Sequence, residues 1–320
     1  MFVPEAYSFD AVSQLGFIAA RTQRLEIASG ILQLYTRTPT LTAMTAAGLD
    51  YVSGGRFTLG IGASGPQVIE GWHGVPYDAP VGRTREIIEI CRTVWRRERL
   101  ELPGPALHDP AAARPRDRPR QAAQADQPPG PGADPDRGGG ARPEERGARR
   151  RAGRGLGADL LLPGEGGAGV GRPLAAGRAR RDPSLPPLDV VAQAPLAIGE
   201  DVAGYLELRL GRSLALYIGG MGPHRDRGRN FYYELAVRYG FEAAASRCQD
   251  AYLAGRKDEA AALVPAELLA GTSLIGPEGH VAERLAALKE SGVTTLNVTP
   301  LAATHADRVR LIEKVRDLAA

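Results

Sequence analysis

Side chains able to do chemistry in the first part of this 320-residue chain follow predicted strands. Glu5 comes soon after the apolar pair at positions 2–3, and Gln33 lies in the apolar segment LEIASGILQLY. A carboxylic acid can hydrogen-bond a ligand or move a proton, and an amide both donates and accepts hydrogen bonds. The sequence contains no Ser-His-Asp or Cys-His arrangement and no cluster with metal-ligand spacing. We therefore predict neither a triad-type nucleophile nor a metal site.

The stretch GIGASGPQ closes another predicted strand, RFTLGIGAS. Small residues let backbone N–H groups approach an anionic or polyhydroxyl chain, although a plain glycine turn is an equal alternative. The stretch lacks the full glycine spacing and the downstream acid of a dinucleotide-binding fingerprint. Trp72 and His73 follow and could contact a substrate; the alternatives are a core tryptophan and a polar surface histidine. The binding candidates in this stretch are Gly60, Gly62, Ala63, Ser64 and Gln67.

The elements that must position these residues alternate between helix and strand on both sides of an unusual middle segment. Apolar residues at helical spacing predict helices in SFDAVSQLGFIAARTQ, TPTLTAMTAAGLDYVSGG, RTREIIEICRTVWRR, HVAERLAALKESG and HADRVRLIEKVRDLA. Further strands are predicted in LDVVAQAPLAIG, SLIG and VTTLNVTPL. Repeated strand–helix units imply a parallel sheet with helical crossovers. They favour an α/β fold of the (β/α)8 barrel type over a doubly wound sheet.

The middle segment, residues 96–183, uses only ten amino-acid types, whereas 35 of the first 95 residues fall outside that set. The ten types are those encoded by codons that begin with C or G. In a GC-rich gene, this alphabet results when the third codon base is read as the first. We therefore interpret roughly 107–171 as read out of frame; the alternative is a natural insert rich in Arg, Pro and Gly. Either way, few residues here can be buried, and disorder is expected.

The chain is accordingly divided into 1–106 and 172–320, two parts of one barrel, and 107–171 between them. Residues 96–183 hold 18 Arg, no Lys and 12 acidic residues, a net charge of +6, so the remainder is at −3. The Arg-rich segment has no aromatic residues between its arginines and many acids, so nucleic-acid binding is not predicted.

The cellular setting is read from cysteine usage and hydropathy. The two cysteines, Cys91 and Cys248, lie far apart without a metal-ligand pattern, which fits a reducing cytoplasm. No apolar run approaches the length of a membrane span, and the first residues have no signal-peptide pattern. We expect a cytoplasmic protein without a membrane partner; a homodimer is one expected assembly.

Several stretches resemble one known family closely. VPEAYSFDAVSQLGFIAARTQRLEIASGILQLYTRTP, SGGRFTLGIGASGPQVIEGWHGVPY, GRNFYYELAVRYGF and GVTTLNVTPL resemble luciferase-like oxidoreductases, in particular the actinobacterial branch that uses the deazaflavin coenzyme F-420. The resemblance covers roughly 1–106 and 172–320. It implies a luciferase-like (β/α)8 barrel that is incomplete here, because a strand and helix usually precede VPEAY and the middle strands are replaced by the segment 107–171.

The resemblance also implies a role for individual residues. Glu5 would face the cofactor ring as the catalytic acid, and Gln33 would reach a ring or ribityl oxygen. The Gly30-Ile31 bond would be a non-prolyl cis peptide that presses on the ring. The glycine stretch with Gln67 would contact the cofactor, as would Arg229, for which a structural turn is an equal alternative.

The expected activity is hydride transfer between coenzyme F-420 and a small organic substrate. The first alternative is an FMN-dependent monooxygenase of the same fold. A second alternative is an inactive product of a damaged gene. The chain as written is expected to bind F-420 poorly or not at all, since the resemblance implies that a first strand, the middle strands and a phosphate-binding loop are lost.

Overall fold

The computed structural model divides into two compact units, Met1–Gly153 and Arg154–Ala320, which are described separately. Of the segment 107–171, only residues 155–158 and Leu162 are described. The structure describes residues 1–7, 9–100, 155–158, 162, 172–181, 183, 187–205, 209–222 and 230–319.

The described part of unit 1 contains short parallel strands and three α-helices. Its strands are β1 (Phe2–Val3), β2 (Ile27–Ser29), β3 (Leu32–Gln33), β4 (Phe57–Thr58) and β5 (Ile61–Gly62). Its helices are α1 (Ala11–Arg21), α2 (Pro39–Val52) and α3 (Pro80–Trp95), with a π-helical segment at Gln67–Trp72. One sheet has the order β1-β2-β4 and the other pairs β3 with β5, all in parallel. The predicted helices and strands of this half are confirmed.

Local sequence signals explain where two of these helices begin and end. Asp10 caps α1, because its carboxylate accepts the backbone N–H of Ser13 at 2.7 Å. Ser8, whose residue type could also cap this helix, lies outside the described residues. Thr38 caps α2, and Pro39 occupies its first turn. Gly54 follows α2 with φ of 65°, a left-handed conformation that glycine adopts readily.

Each of the two predicted strands 25–35 and 56–64 is interrupted once. Ile27 pairs with Phe57, an offset of 30 residues, whereas Leu32 pairs with Ile61, an offset of 29. The first strand therefore carries one extra residue between its two halves, which is a bulge. Sequence reasoning treated each strand as continuous, since nothing in the apolar pattern marks one extra residue.

The Ser29 side chain forms hydrogen bonds with the backbone of Gly60 where the bulge interrupts the strand pairing. Its hydroxyl donates to Gly60 O at 2.8 Å and accepts from Gly60 N at 2.9 Å, and its side chain is buried. The chains approach so closely that a Cβ on Gly60 would lie 2.1 Å from Ser29 O. Gly60 is thus required for strand packing, which explains this glycine without any ligand.

Unit 2 surrounds one long central strand with shorter strands and helices. The strands are β6 (Gly155–Ala158), β7 (Asp189–Ile198), β8 (Leu274–Gly276) and β9 (Thr295–Pro300). The helices are α4 (Arg172–Ala179), α5 (Ala203–Tyr205), α6 (Gly211–Ala215), α7 (Phe231–Arg238), α8 (Glu242–Leu253), α9 (Lys257–Ala262), α10 (Ala266–Gly271), α11 (Glu278–Glu290) and α12 (His305–Ala319), with a π-helical segment at Leu216–Gly220.

Every described pairing of β7 is parallel: with β6 and β8 along one edge and with β9 along the other. Ala192, Leu196 and Leu274 pack with residues of α11 and α12 in one core. A second core joins the helices α6 to α10. The strands and helices predicted after residue 187 are confirmed, and both units have the predicted α/β class. None of the described helices is both long and apolar enough to cross a membrane.

The strand β6 corrects part of the expectation for the middle segment. Residues 155–158 were expected to be disordered with the rest of 107–171, yet they pair in register with residues 189–192 of β7. Leu162, from the same segment, is buried in the helical core of unit 2. Backbone hydrogen bonds to β7 need no β-branched side chains, so composition alone could not reveal this strand. The rest of that expectation lies outside the described residues.

Asn230 and the pair Gly219-Gly220 have structural roles. The Asn230 side chain accepts the backbone N–H groups of Tyr232 and Tyr233 and donates to the carbonyl oxygens of Tyr217 and Ile218. It is fully buried and joins the end of the π-helical segment to the start of α7. A Cβ on either glycine would lie within 2.6 Å of the Tyr252 side chain, so both residues are packing glycines.

Gly60→Ala should destabilise the protein by about 1–3 kcal/mol, because the new methyl group cannot share space with the Ser29 carbonyl. Gly48→Ala is the matched control, since no atom lies within 4 Å of its Cβ position inside α2. It should be neutral or stabilise by up to about 1 kcal/mol. Urea unfolding of both variants measures the difference; equal effects would contradict the close approach.

Asn230→Asp should lower the unfolding free energy by about 1–3 kcal/mol, although aspartate is as good a helix cap as asparagine. The carboxylate still accepts the two backbone N–H groups but faces the carbonyl oxygens of Tyr217 and Ile218 without a proton to donate. Chemical denaturation at neutral pH measures the loss. An unchanged midpoint would show that the two donated hydrogen bonds contribute nothing.

Candidate active site

Five side chains of unit 1 follow the carboxyl ends of parallel strands, the edge at which α/β proteins bind ligands. Glu5 follows β1, Gln33 ends β3, Arg37 precedes α2, and Ser64 and Gln67 follow β5. Gln33 pairs with Gly62 in the sheet and donates from Nε2 to the Glu5 carbonyl at 3.1 Å. We call these residues the strand-end site: Glu5, Gln33, Arg37, Ser64 and Gln67.

A bidentate ion pair fixes the Glu5 carboxylate. Arg37 donates from Nη1 to Oε2 at 2.5 Å and from Nη2 to Oε1 at 2.7 Å. The same guanidinium donates to Asp10 Oδ1 at 2.8 Å. The Glu5 and Arg37 side chains are 12% and 14% exposed, so the pair is largely screened from water. Both oxygens of Glu5 are thus occupied, and Ala11 N donates to Oε1 as well at 3.3 Å.

These contacts shift the pKa values of Arg37 and Asp10 in opposite directions. The hydrogen bonds from Arg37 to Glu5 raise the pKa of the guanidinium, and burial opposes the shift. For Asp10, partial burial raises the pKa, but the hydrogen bonds from Ser13 and the charge of Arg37 outweigh it and hold the pKa below its usual value. Arg37 therefore stays charged as the shared partner of two carboxylates.

Buried amide atoms of Gln33 and Gln67 have no partner among the described residues. Gln33 is 1% exposed, and its Oε1 accepts no hydrogen bond. Both amide atoms of Gln67 are also buried without partners. A buried polar group left unsatisfied typically costs about 1–3 kcal/mol. A polar ligand that reached these atoms would recover that energy.

The remaining cofactor candidates lie on the same strands. The Gly30-Ile31 peptide is cis, as the resemblance implied. Gly62 O accepts from Leu34 N at 3.0 Å, so it belongs to the ladder. Ala63 packs against an apolar cluster of unit 1. Ser64 has a φ of 58°, and its carbonyl accepts from Tyr77 Oη at 3.2 Å.

The substrate candidates are on the surface, and one cofactor candidate is not described. Trp72 is 64% exposed and contacts the edge of the Tyr7 ring, with centroids 5.9 Å apart. His73 is exposed and ends the π-helical segment. Arg229 lies outside the described residues, so its predicted cofactor contact stays a prediction.

Sequence reasoning missed Arg37, although it stands in the conspicuous motif LYTRTP directly before the proline of α2. A cation four residues after Gln33, at the carboxyl end of the same strand, was the available signal. Among the described residues no group of three or more His, Cys, Asp or Glu side chains could hold a metal ion.

Comparison with known proteins decides the family. Residues 1–295 match the model of the luciferase-like monooxygenases. The chain belongs to this family. It is therefore a luciferase-like oxidoreductase, as the quoted motifs indicated.

A full-length relative and two solved structures are similar to this luciferase-like chain. A protein of Mycobacterium tuberculosis, provisionally named a coenzyme F-420-dependent oxidoreductase, is 34% identical over 100% of this chain and 89% of its own length. The F-420-dependent tetrahydromethanopterin reductase of Methanopyrus kandleri has a TM-score of 0.65 at 20% identity, covering 98% of this chain and 88% of that one.

An F-420-dependent secondary alcohol dehydrogenase, solved with an F-420–acetone adduct, has a TM-score of 0.62 at 16% identity. That match covers 100% of this chain and 89% of the dehydrogenase. At these identities the two structures show the fold alone. The α/β fold of this luciferase-like chain is thus that of the barrel enzymes of its family.

Arg37→Gln should destabilise the luciferase-like chain by about 2–3 kcal/mol at neutral pH. This loss lies between those typical of exposed ion pairs and of buried ones. The Asp10 pKa should rise toward its usual value. A carboxylate whose pKa is lowered in the folded state stabilises the protein at any pH above its unfolded-state pKa. That stabilisation is lost as the pH falls through the folded-state pKa, so the destabilisation by Arg37→Gln should become smaller in acid. Urea unfolding and carboxyl-carbon NMR across pH measure both effects.

Arg83→Gln is the control, since Arg83 pairs with Asp78 instead. It should leave the Asp10 titration unchanged. An Asp10 pKa that Arg37→Gln does not move would contradict the shared ion pair.

Proposed function

We propose that this chain transfers hydride between coenzyme F-420 and a small organic substrate. The orphaned Oε1 of Gln33, buried at the carboxyl end of β3, is the observation that carries the proposal. The full-length similarity to a relative provisionally named for this coenzyme supports it.

The strand-end site fits a polar tricyclic cofactor on the observations of unit 1. Gln33 has a free acceptor, and Gln67 has both a free donor and a free acceptor, all shielded from water. Gln33 would accept from a ring N–H, and Gln67 would bind the polyhydroxyl chain. When bound, the deazaflavin supplies the carbon that carries the hydride. The protein binds and orients it and excludes water.

Glu5 and Arg37 have different roles in the proposed site. With both oxygens held by Arg37, Glu5 is a carboxylate in the structure and presents an accepting group rather than a proton. To protonate a substrate, it would first have to be released by Arg37, which keeps a second partner in Asp10. We therefore propose that Glu5 orients and accepts hydrogen bonds at the ring, and donates a proton only after that release.

The barrel is proposed to be incomplete in its middle, which weakens cofactor binding. In the described part of residues 96–183, β6 is the only strand. Losing one charge-assisted contact costs about 1.5–3 kcal/mol, roughly tenfold to a hundredfold in affinity. An FMN-dependent monooxygenase on the same fold is the alternative that the binding experiment must separate.

Equilibrium titration with F-420 and with FMN tests the proposal. Both the chain as written and a version with the reading frame restored over 107–171 should bind F-420 more tightly than FMN. The restored version should bind F-420 at least tenfold more tightly than the chain as written. Tighter binding of FMN with oxygen consumption would favour the monooxygenase instead.

Gln33→Leu should reduce F-420 affinity of the restored version by about tenfold, because a hydrogen-bonded amide is replaced by an apolar group of similar size. Gln23→Leu, at an exposed glutamine before β2, is the matched control and should leave affinity unchanged. If both variants bind F-420 like the parent, Gln33 is not a cofactor contact.

A further inference from the structure

Unit 2 contains a cavity of about 270 Å³ beside its central strand. Residues of β7, β9, α6 and the segment before α6 line it. Every described residue that lines it belongs to unit 2. Its chemistry can be considered independently of the proposed cofactor.

The cavity has an apolar floor and a polar rim. Leu210 and Leu214 are 9% and 2% exposed and form part of the floor. Gln193, Ser213 and Thr299 lie on the rim, are exposed and make no side-chain hydrogen bond to another described residue. This arrangement fits a ligand with an apolar body and a polar end.

The two faces of β7 have different surroundings, a core on one and the cavity on the other. Ala192 and Leu196 face the core formed with α11 and α12, whereas Gln193 and Pro195, on the alternate positions, line the cavity. Ala194 belongs to that core and also touches the cavity. The side chain of Gln193 remains exposed although β7 is paired on both edges. A polar residue in the middle of a central strand is consistent with a face that contacts solvent or ligand rather than core.

The charge of the rim selects the polar end of the ligand. Of the described residues that line the cavity, Arg209 is the only one with a charge, and its guanidinium has no acidic partner among them. A planar guanidinium matches a carboxylate in geometry. With a single cation and only neutral donors beside it, the rim suits one negative charge rather than the two of a phosphate.

We propose that this cavity binds a small organic monocarboxylate, with the carboxylate at Arg209 and the apolar part against Leu210 and Leu214. Benzoate and its neutral analogue benzamide both have nine non-hydrogen atoms. They form a matched pair of probes that differ in charge.

Calorimetric and ligand-observed NMR titrations of the full chain test the site. Benzoate should bind at least tenfold more tightly than benzamide. Arg209→Gln should remove that preference and leave benzamide binding unchanged. Arg212→Gln is the matched control: Arg212 is exposed one turn away, pairs with Asp258 and does not line the cavity.

Ser213→Trp, on the exposed rim, should block both probes by filling the entrance, with circular dichroism confirming that the variant is folded. Three results would overturn the proposal. The first is equal affinity for the two probes, and the second is an equal loss of benzoate affinity in Arg209→Gln and Arg212→Gln. The third is that neither probe binds at about 10 mM, well above the ~1 mM Kd of weak specific binding.

Discussion

The two hydrogen bonds between the Ser29 hydroxyl and the backbone of Gly60 set the register on which unit 1 depends. They bridge the point where the strand from residue 27 gains one residue over its neighbour. Beyond that point Gln33 lies opposite Gly62, so the turn that carries Ser64 and Gln67 follows directly beside β3. Without the one-residue shift, Gln33 would turn to the other face of the sheet.

The strand-end site combines unsatisfied amides with an ion cluster in which one guanidinium, Arg37, is shared by two carboxylates, Glu5 and Asp10. Arg37 compensates two carboxylates, and its removal would leave Glu5 buried as an unpaired charge. Gln33 Oε1 and both amide atoms of Gln67, in contrast, have no hydrogen-bond partner among the described residues. Each charged side chain of the site therefore has a partner, whereas its amide hydrogen bonds are incomplete, as expected of a pocket that binds a polar, uncharged ring system.

The sequence allowed most elements of the fold to be predicted. Periodicity located α1 and α2, and alternation of strands and helices indicated parallel sheets. The bulge at Ser29 could not be found, because one extra residue leaves the apolar pattern intact. The strand β6 was not predicted, because backbone pairing with β7 needs no particular side chains.

For the site, polarity at strand ends together with the family resemblance selected Glu5 and Gln33 as candidates, since ligand sites gather at that edge of parallel sheets. The partner of Glu5 was not selected, because an ion pair between residues 5 and 37 requires tertiary structure. Asn230 shows the opposite case, a buried polar side chain whose hydrogen bonds are all used within the protein, by capping α7 and by donating to two carbonyl oxygens.

The central claim, that the buried amides of unit 1 receive F-420, is tested most directly by NMR of glutamine side chains. In the frame-restored protein labelled at glutamine nitrogen, addition of F-420 should shift the Gln33 and Gln67 amide resonances, while that of exposed Gln23 stays in place. Resonances of Gln33 and Gln67 that do not move at saturating F-420 would contradict the account.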